Sequence, residues 1–270
     1  MSDFLAVINQ DKHPISTPDD LKDKITSNNF DIYFDEDFDL SITENENHIV
    51  VFKGFLTNKV IEKEWFKEGN LSFSEIISRL YAENKECFQN ELEGNYVILI
   101  YDKDQLKLNI LRDHFGARPI FYAKNGESLI VSSSIQRLVS SSLKKFQFDE
   151  SSMVDFLSLR YRDNTKTFYK EVKRISRSGY YSYIDSQLIK NHYEQPIFSS
   201  KSEGLEKFKD LFESAIRNNV PKNLKKGLML SGGLDSSSIA IGMKNIGVKN
   251  LTSLSGNYDH LPKETRNLVD

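Results

Sequence analysis

The sequence predicts two units of different fold class: an α+β domain built on a two-sheet antiparallel sandwich, then the start of an α/β domain with a parallel sheet. Two observations support this prediction. Short apolar and β-branched runs, separated by Asn, Asp, Gly and Lys, fill about the first 140 residues. Near the end of the chain a strand, a glycine turn, a helix and a second strand follow one another, which is the order of a parallel unit.

The first unit is predicted to contain several short strands and one helix. One part of it, Ser16 to Asn47, shows no strong pattern. The helix is indicated by apolar residues at helical spacing, with Ser74 placed to cap or open it: Phe73, Ile76, Ile77, Leu80 and Tyr81. The predicted strands are Phe4–Asn9, Ile49–Phe52, Tyr96–Tyr101, Leu106–Leu111, Ile120–Tyr122 and Leu129–Val131.

The serine-rich run Ser132–Ser142 suggests a seam that divides the chain into residues 1–140, a linker segment 141–200 and residues 201–270. Within the linker we expect a helix over Ser151–Arg160 and a short strand around Tyr180–Ile184, preceded by a turn at Gly179. The last segment opens with a helix whose apolar face runs from Leu205 to Ile216, and Pro221 ends that region. The expected parallel unit follows as strand Leu228–Leu230, helix Asp235–Lys244 and strand Leu251–Leu254.

Composition excludes several function classes. The net charge of −3 leaves no basic footprint for nucleic acid. A single cysteine, Cys87, cannot form a disulfide within the chain, and no apolar run is long enough for a secretion signal or a membrane span. These features predict a cytoplasmic protein without a membrane partner. The five histidines lack the spacing of a transition-metal site.

The sharpest local signal is the phosphate loop, Leu230-Ser231-Gly232-Gly233-Leu234-Asp235-Ser236-Ser237. Two glycines after a buried strand allow a tight turn, and the helix that follows directs its free N–H groups into that turn, where an anion binds. Three serine hydroxyls add donors. The loop has no lysine, so it is not a Walker A loop, and it does not match the dinucleotide GxGxxG pattern. Asp235 would repel a phosphate unless a cation intervened, which indicates Mg²⁺ bridging to ATP.

The purely structural alternative is an ordinary glycine turn in which Asp235 is the helix N-cap. Against it stands the resemblance of this run to the SGGxDS loop of the ATP pyrophosphatase, or PP-loop, superfamily, whose members cleave ATP between the α and β phosphates. The resemblance implies a site for ATP and Mg²⁺ in which the backbone near Leu230 and Leu254 flanks the adenosine. The implied pyrophosphate ligands are Ser231, Gly232, Gly233, Ser236 and Ser237, with Asp235 holding the metal through ATP.

Upstream segments narrow the resemblance to the asparagine synthetase family. Glu93–Asp102 resembles the family strand L-D-G-x-F-A-F-A-x-Y-D, Arg112–Tyr122 is similar to R-D-x-x-G-x-x-P-L-Y-Y, and Ser132–Ile135 resembles A-S-E-I. They occur in the family's order, ahead of the PP-loop. The first unit is therefore expected to be like a class II glutamine amidotransferase, with an N-terminal-nucleophile fold. For Arg112–Tyr122 we favour a structural reading, in which Asp113 and Arg118 bond each other or the backbone in a turn.

In glutamine-using members of this family an N-terminal cysteine attacks the glutamine amide and an Asn-Gly pair forms the oxyanion hole. Here Ser2 follows Met1, and the family motif N-G-E-x-x-N corresponds to Lys53–Asn58, where Lys53 and Phe55 replace Asn and Glu. The R-G-P-D clamp is absent, and Glu93 stands at the aspartate that holds the glutamine amine. The domain is therefore expected to be a scaffold without glutaminase activity, in which Gly54 is only a turn glycine.

This pattern places the chain near the family branch of lasso-peptide cyclases and β-lactam synthetases. The resemblance implies an AMP-forming amide ligase that adenylates a small-molecule or peptide carboxylate before an amine attacks. Two alternatives stay open: a glutamine-hydrolysing asparagine synthetase for asparagine biosynthesis, and a non-catalytic nucleotide- or partner-binding fragment. The chain is expected to be C-terminally incomplete, since a synthetase domain continues well past Asp270, and a homodimer is left open.

Overall fold

The computed structural model describes residues 3–9, 21–35, 38–57, 71–83, 88–141, 145–160, 163–191, 204–220 and 225–256. The described residues form two compact units, of which the first runs from the N-terminus to residue 196 apart from residues 57–63. The second unit contains the remaining C-terminal part of the chain.

The first unit contains two six-stranded sheets. The strands of sheet one are β1 (Phe4–Ile8), β2 (Asp23–Ser27), β3 (Phe30–Phe34), β8 (Phe121–Asn125), β9 (Ser128–Ser132) and β10 (Val172–Arg174). Their order in the sheet is β10-β8-β9-β1-β3-β2, and every pairing is antiparallel.

The strands of sheet two are β4 (Leu40–Glu44), β5 (His48–Leu56), β6 (Gly94–Asp102), β7 (Lys107–Arg112), β11 (Tyr180–Ile184) and β12 (Gln187–Lys190). Their order in the sheet is β12-β11-β7-β6-β5-β4, and this sheet is likewise antiparallel throughout.

The main core lies between these two sheets. Alternate residues of β1, such as Phe4 and Ala6, meet alternate residues of β6 and β7, such as Leu99 and Ile110, and all four are fully buried. The Phe30 and Tyr101 rings stack at a centroid distance of 4.6 Å across this interface. The antiparallel sandwich predicted from the strand pattern is therefore confirmed.

A helix covers the outer face of each sheet. Helix α1 (Phe73–Glu83) packs on β5, where the Phe73 ring lies 5.0 Å from that of Phe52. Helix α2 (Ile135–Ser141) covers sheet one, and its Leu138 is buried with Val7 and Ile130. A short 3₁₀ helix, Phe88–Glu91, follows α1.

The first turn of α1 differs from the predicted one, because Ser72 and not Ser74 caps the helix. The Glu75 amide donates to Ser72 Oγ at 3.3 Å, and the Ser72 amide donates back to the Glu75 carboxylate at 2.7 Å, which is a capping box. Ser74 is buried instead, and its hydroxyl lies 2.7 Å from that of Thr43 on β4.

Both sheets extend beyond residue 140. The segment 141–200, assigned to a linker on its sequence, contributes β10 to sheet one and β11 and β12 to sheet two. It also contains helix α3 (Glu150–Leu157), which is shorter than the predicted helix. Strand β11 coincides with the strand expected at Tyr180–Ile184. Strands β10 and β12 escaped notice because β10 has three residues and β12 is largely exposed, so neither carries a clear apolar alternation.

The second unit begins with helix α4 (Gly204–Asn219), followed by β13 (Lys226–Met229), helix α5 (Leu234–Asn245) and β14 (Leu251–Leu254). Strands β13 and β14 pair in parallel, with Lys226 opposite Leu251, as the strand–helix–strand order predicts. Pro221 lies outside the described residues. None of the described helices is both long and apolar enough to cross a membrane.

Candidate functional site

The phosphate loop connects β13 to α5 at the carboxyl end of the parallel pair. The Leu230 amide donates to the Leu254 carbonyl at 2.8 Å, which extends the ladder by one bond and brings the ends of the two strands together. Ser255 Oγ donates to the Leu230 carbonyl at 2.8 Å. Leu230 and Leu254 thus lie side by side, at the positions where the family resemblance predicts that the adenosine binds. Ser255 was not predicted, because its only sequence signal is its place after a strand.

Serine hydroxyls brace the loop from within. Ser231 Oγ and Ser236 Oγ lie 3.1 Å apart, and Ser236 Oγ also accepts from the Ser231 amide at 3.2 Å. Ser236 Oγ is in addition 3.2 Å from the Gly233 carbonyl, to which it can donate. These bonds join the start of the loop to the first turn of α5 and fix the shape of the loop.

The two glycines have different conformations. Gly232 has a φ of 73°, in the left-handed region where glycine is favoured, whereas Gly233 has a φ of −75°. A Cβ at Gly233 would lie 3.3 Å from Ser231 Oγ and meet no other atom more closely. The requirement for glycine at a positive φ therefore belongs to Gly232 and not to Gly233.

Asp235 is not the N-cap of α5. Gly233 occupies the N-cap position, without a side-chain capping bond, and Asp235 is the second residue of the helix. The Asp235 side chain is exposed, on the turn whose backbone N–H groups have no partner within the helix. The structural alternative proposed from the sequence, in which Asp235 is the N-cap, is therefore wrong.

The donor set of this loop fits a magnesium–polyphosphate. Free N–H groups at a helix start and the hydroxyls of Ser231, Ser236 and Ser237 are ligands for phosphate oxygens. The exposed carboxylate of Asp235, in the same first turn, is the kind of ligand that Mg²⁺ takes beside substrate phosphates. Among the described residues no group of three or more His, Cys, Asp or Glu side chains is placed to hold a metal by itself.

The first unit contains the other candidate site, at the residues that correspond to the amidotransferase motif. Gly54 lies within β5, not in a turn, and has a φ of 129°. A Cβ there would collide with the Asn95 carbonyl oxygen of the adjacent β6. Gly54 is therefore required by the close approach of two strands, and the interpretation as a turn glycine is wrong.

The Gly54 amide is already engaged, because it donates to the Asp39 carbonyl at 2.7 Å. This N–H corresponds to the backbone donor of the Asn-Gly oxyanion hole. The side-chain donor of that pair is replaced by Lys53, which is buried within β5. Neither half of an Asn-Gly oxyanion hole is thus present in its usual form.

Phe55, at the position of the family glutamate, lies under Arg118. The Arg118 guanidinium is 5.6 Å from the Phe55 ring centroid, and its Nη1 forms an ion pair with Asp39 Oδ2 at 2.9 Å. Asp39 is buried, and the Phe38 ring lies 6.1 Å from that of Phe55. Asp39 was missed because it lies in the stretch without a sequence pattern.

The Arg112–Tyr122 segment has a structural role, as predicted, although its partners differ in part. The Asp113 carboxylate accepts from the Phe115 amide at 3.0 Å and the Ala117 amide at 3.1 Å. Arg112 donates to the carbonyls of Arg118 and Ile175, both at 2.6 Å, and of Gly116. Burial lowers the pKa of the Arg112 guanidinium from its ordinary value, and the neighbouring Asp113 opposes that shift. Arg118 pairs with Asp39 and not with Asp113.

Ser2 and Asn58 lie outside the described residues, so the structure does not place the N-terminal nucleophile position. The residue after it, Asp3, is held by Ser133 Oγ at 3.2 Å and by Arg137 Nε at 3.3 Å. Glu93 is exposed just before β6. Among the described residues the structure places Lys53, Gly54 and Phe55 on one strand, and Glu93 directly before the neighbouring strand β6.

Comparison with known proteins agrees with both units. A glutamine amidotransferase domain model matches residues 41–194, more than half of the chain, and an asparagine synthase model matches residues 207–267. Glutamine-hydrolyzing asparagine synthetase 2 of Bacillus subtilis is 25% identical over 185 residues, which is 62% of this chain and 24% of that protein. A putative glutamine-hydrolyzing asparagine synthetase 2 of Methanocaldococcus jannaschii is 26% identical over 249 residues, 86% of this chain and 47% of that protein.

A solved glutamine phosphoribosylpyrophosphate amidotransferase from B. subtilis, complexed with ADP and GMP, has a TM-score of 0.40 and 13% identity over 87% of this chain and 53% of its own. The chain spans between about a quarter and a half of the length of the curated relatives it matches. The amidotransferase model matches the antiparallel sandwich, and the asparagine synthase model matches the parallel unit with the phosphate loop. With both models in this order, the chain belongs to the asparagine synthetase family.

Proposed function

We propose that this protein is the front part of an ATP-dependent, AMP-forming amide ligase that works without glutamine hydrolysis. In the proposed reaction a carboxylate oxygen attacks the α-phosphorus of ATP and pyrophosphate leaves. An amine then attacks the activated acyl carbon, the amide C–N bond forms, the amine loses a proton and AMP leaves. Atoms and charge balance without a redox partner.

The observation that carries the proposal is the braced loop at the start of α5. Ser231 and Ser236 are bonded to each other, so their hydroxyls and the first-turn N–H groups of the helix are held in one place. Such preorganised donors stabilise the negative charge that develops on a leaving pyrophosphate, and they need no rearrangement to do so. Asp235 and Mg²⁺ would add a cation at the same phosphates.

The absence of glutaminase activity is supported by the chemistry of the first unit. Removal of one oxyanion-hole donor typically slows acyl transfer by ~10²–10³-fold. Here the Asn donor is Lys53 and the Gly54 N–H is bonded to the Asp39 carbonyl. Serine at position 2 and the missing R-G-P-D clamp also argue against glutamine hydrolysis. The sandwich then serves as a scaffold, and the amine comes from a substrate and not from ammonia.

The substrate class follows from this assignment. If no ammonia is released, the amine must be delivered by a substrate, so an intramolecular amine is the simplest donor, as in the lasso-peptide cyclase and β-lactam synthetase branch that the sequence resembles. We propose a small-molecule or peptide carboxylate as the acyl substrate, in the cytoplasm, where ATP and Mg²⁺ are supplied.

One alternative has a specific observation behind it, because the relatives matched are named glutamine-hydrolyzing asparagine synthetases. Under that alternative the protein would release glutamate from glutamine and make asparagine. The other alternative is a non-catalytic nucleotide-binding protein, in which the loop binds ATP but nothing is activated.

The deciding experiment combines two measurements on the same preparation. ATP binding is titrated with and without Mg²⁺, and ATP–pyrophosphate exchange is followed with a panel of carboxylates. We expect Mg²⁺-dependent binding and exchange that one class of carboxylate stimulates. Binding without any carboxylate-dependent exchange would support the nucleotide-binding alternative, and exchange driven by aspartate together with glutamate release would support asparagine synthesis.

A further inference from the structure

A polar cavity lies at one end of the sandwich in the first unit, and nothing in the proposed reaction uses it. We name it the turn cavity, because residues of the β2–β3, β6–β7 and β11–β12 turns line it together with the end of β1. It has a volume of about 430 Å³, which is within the range of small-molecule sites. Both sheets of the sandwich contribute to its walls.

Hydrogen bonds between the turns fix these walls. Asn28 Nδ2 donates to the Lys103 carbonyl at 3.4 Å, and the Tyr101 hydroxyl donates to Asn29 Oδ1 at 2.7 Å, so sheet one is bonded to sheet two on both sides of the turn. The Asn9 amide donates to the Asn29 carbonyl at 2.7 Å and ties the end of β1 to the same turn. The shape of the turn cavity is therefore set by the fold.

The lining is polar, and its chemistry limits the ligands that fit. Of the eight described residues that line the cavity seven are polar, and none is basic. Four of them carry side-chain amides, which offer both N–H donors and a carbonyl acceptor: Asn9, Asn28, Asn29 and Gln105. An apolar ligand would leave these groups without partners, and an anionic ligand would meet no cation in the lining.

The two carboxylates of the lining differ in their surroundings. Asp31 Oδ1 is 3.1 Å from Lys24 Nζ and accepts from Thr26 Oγ1 at 2.7 Å, so its charge is matched. Asp185 is exposed, and within the described part of the chain its carboxylate has no hydrogen bond or ion pair. A carboxylate with both oxygens available can accept from two adjacent hydroxyl groups of one ligand.

We propose that the turn cavity binds a neutral polyhydroxylated small molecule, of the class of sugars and sugar alcohols. Hydroxyl groups both donate and accept, which is what the side-chain amides of the lining do in return. Asp185 accepts from two neighbouring hydroxyls, Gln105 bonds a third, and Asn29 donates from its amide nitrogen because its oxygen is engaged by Tyr101. Leu106, the one apolar residue of the lining and 43% exposed, contacts the C–H face of the ligand.

The first test is saturation-transfer NMR of the purified protein with D-glucose, D-galactose, N-acetyl-D-glucosamine, myo-inositol and sorbitol, each titrated to about 50 mM, since hydrogen bonds that replace bonds to water give millimolar affinity. Putrescine and succinate are the cationic and anionic probes without hydroxyl groups. We expect saturable binding of at least one polyol. No saturable binding of any polyol, or tighter binding of putrescine or succinate, would overturn the proposal.

The second test places the polyol that binds best in the turn cavity. Asp185→Gly removes the carboxylate and keeps a residue that readily adopts the φ of 48° found there, and it should weaken binding at least about tenfold. Gln105→Ala should weaken it by about three- to tenfold. The matched control is Asp104→Ala, because Asp104 is an exposed carboxylate on the same turn as Gln105 but does not line the cavity.

Asp104→Ala should leave polyol binding unchanged. Equal weakening in this control, or wild-type binding in both Asp185→Gly and Gln105→Ala, would show that the polyol binds elsewhere and would overturn the assignment. All three positions are exposed, so melting curves of the variants should match that of the wild type.

Discussion

At the scale of single residues, the two adjacent glycines of the phosphate loop look equivalent in the sequence but have different backbone conformations. Gly232 has a positive φ and Gly233 does not. For an L-residue the left-handed conformation costs roughly 1–2 kcal/mol, whereas replacing glycine by alanine at a negative φ stabilises a protein by reducing the entropy of the unfolded chain. The same substitution is therefore expected to cost more stability at Gly232 than at Gly233.

We predict that Gly232→Ala lowers the free energy of unfolding of the second unit by about 1–2 kcal/mol. Gly233→Ala should change it by less than about 1 kcal/mol, because the entropy gain at a negative φ is opposed by the poorer N-cap that alanine makes. Denaturant titrations of the two variants measure this difference. Gly233→Ala is expected to weaken ATP binding despite normal stability, because its methyl group enters the phosphate cradle. Equal stability of the two variants would contradict the φ assignment.

Asp235 allows a second prediction at this scale. Since Gly233 is the N-cap, Asp235→Asn removes a negative charge from the first turn of α5 but no capping bond. We expect a loss of stability of about 0.3–1 kcal/mol, which is the usual contribution of a charge at a helix start. ATP–pyrophosphate exchange should fall much further, since the Mg²⁺ ligand is lost. A melting curve measured beside the exchange rate separates the two, and normal exchange with a lowered melting point would contradict the metal-binding role.

At the scale of secondary-structure elements, the sequence anticipated those whose pattern is local. Strands β1, β5, β6, β7 and β9 are buried along most of their length, β8 contains the buried Phe121 and Ala123, and α1 has clear helical spacing. Strands β2, β3 and β4, all within Ser16–Asn47, were missed. Strands β2 and β4 are edge strands whose residues are largely half-buried or exposed, so they carry no clear apolar pattern. The pairing of Arg118 with Asp39 could not be foreseen either, because it joins residues that no local period connects.

Helix α1 gives a prediction at the level of the element, because its capping box also makes stability depend on pH. Hydrogen bonds from the Ser72 amide and hydroxyl to the Glu75 carboxylate lower the pKa of Glu75 below its ordinary value. A depressed carboxyl pKa contributes stability that is present above the unfolded pKa and is lost as the pH falls through the folded one. The contribution should therefore be present at pH 7 and disappear below pH ~4.

We predict that Ser72→Ala destabilises the first unit by about 1 kcal/mol at pH 7, the usual cost of losing an N-cap. Glu75→Gln should cost less, and its difference from the wild type should vanish at low pH. The matched control is Ser140→Ala, since the Ser140 hydroxyl is exposed and donates only to a carbonyl of its own helix. Urea titrations at pH 7 and at acid pH would refute the capping box if Ser72→Ala behaved like that control.

At the scale of the whole molecule, the chain combines an amidotransferase-like sandwich with a phosphate loop of the synthetase type. The two units differ in what they retain. The loop keeps glycine, hydroxyl and carboxylate groups in an arrangement that fits magnesium and polyphosphate, whereas the sandwich keeps its fold with Lys53 and Phe55 at the positions of the motif's Asn and Glu. The sheets of the sandwich depend on Gly54 for the approach of β5 to β6, so that position is constrained by packing whatever the domain's chemistry.

The final prediction follows from that difference. We expect no measurable glutamate release from glutamine, and we expect the double substitution Lys53→Asn with Phe55→Glu to leave it undetectable. Restoring two side chains does not free the Gly54 N–H from the Asp39 carbonyl, nor does it supply the R-G-P-D clamp or an N-terminal cysteine. With ~10²–10³-fold lost for each missing oxyanion donor, activity should stay several orders of magnitude below that of a competent enzyme. The glutamine-hydrolyzing asparagine synthetase 2 of B. subtilis, assayed in parallel for glutamate release, is the positive control. Wild-type release within about tenfold of that control, abolished by Ser2→Ala, would show that the serine is a working nucleophile and would defeat the scaffold assignment.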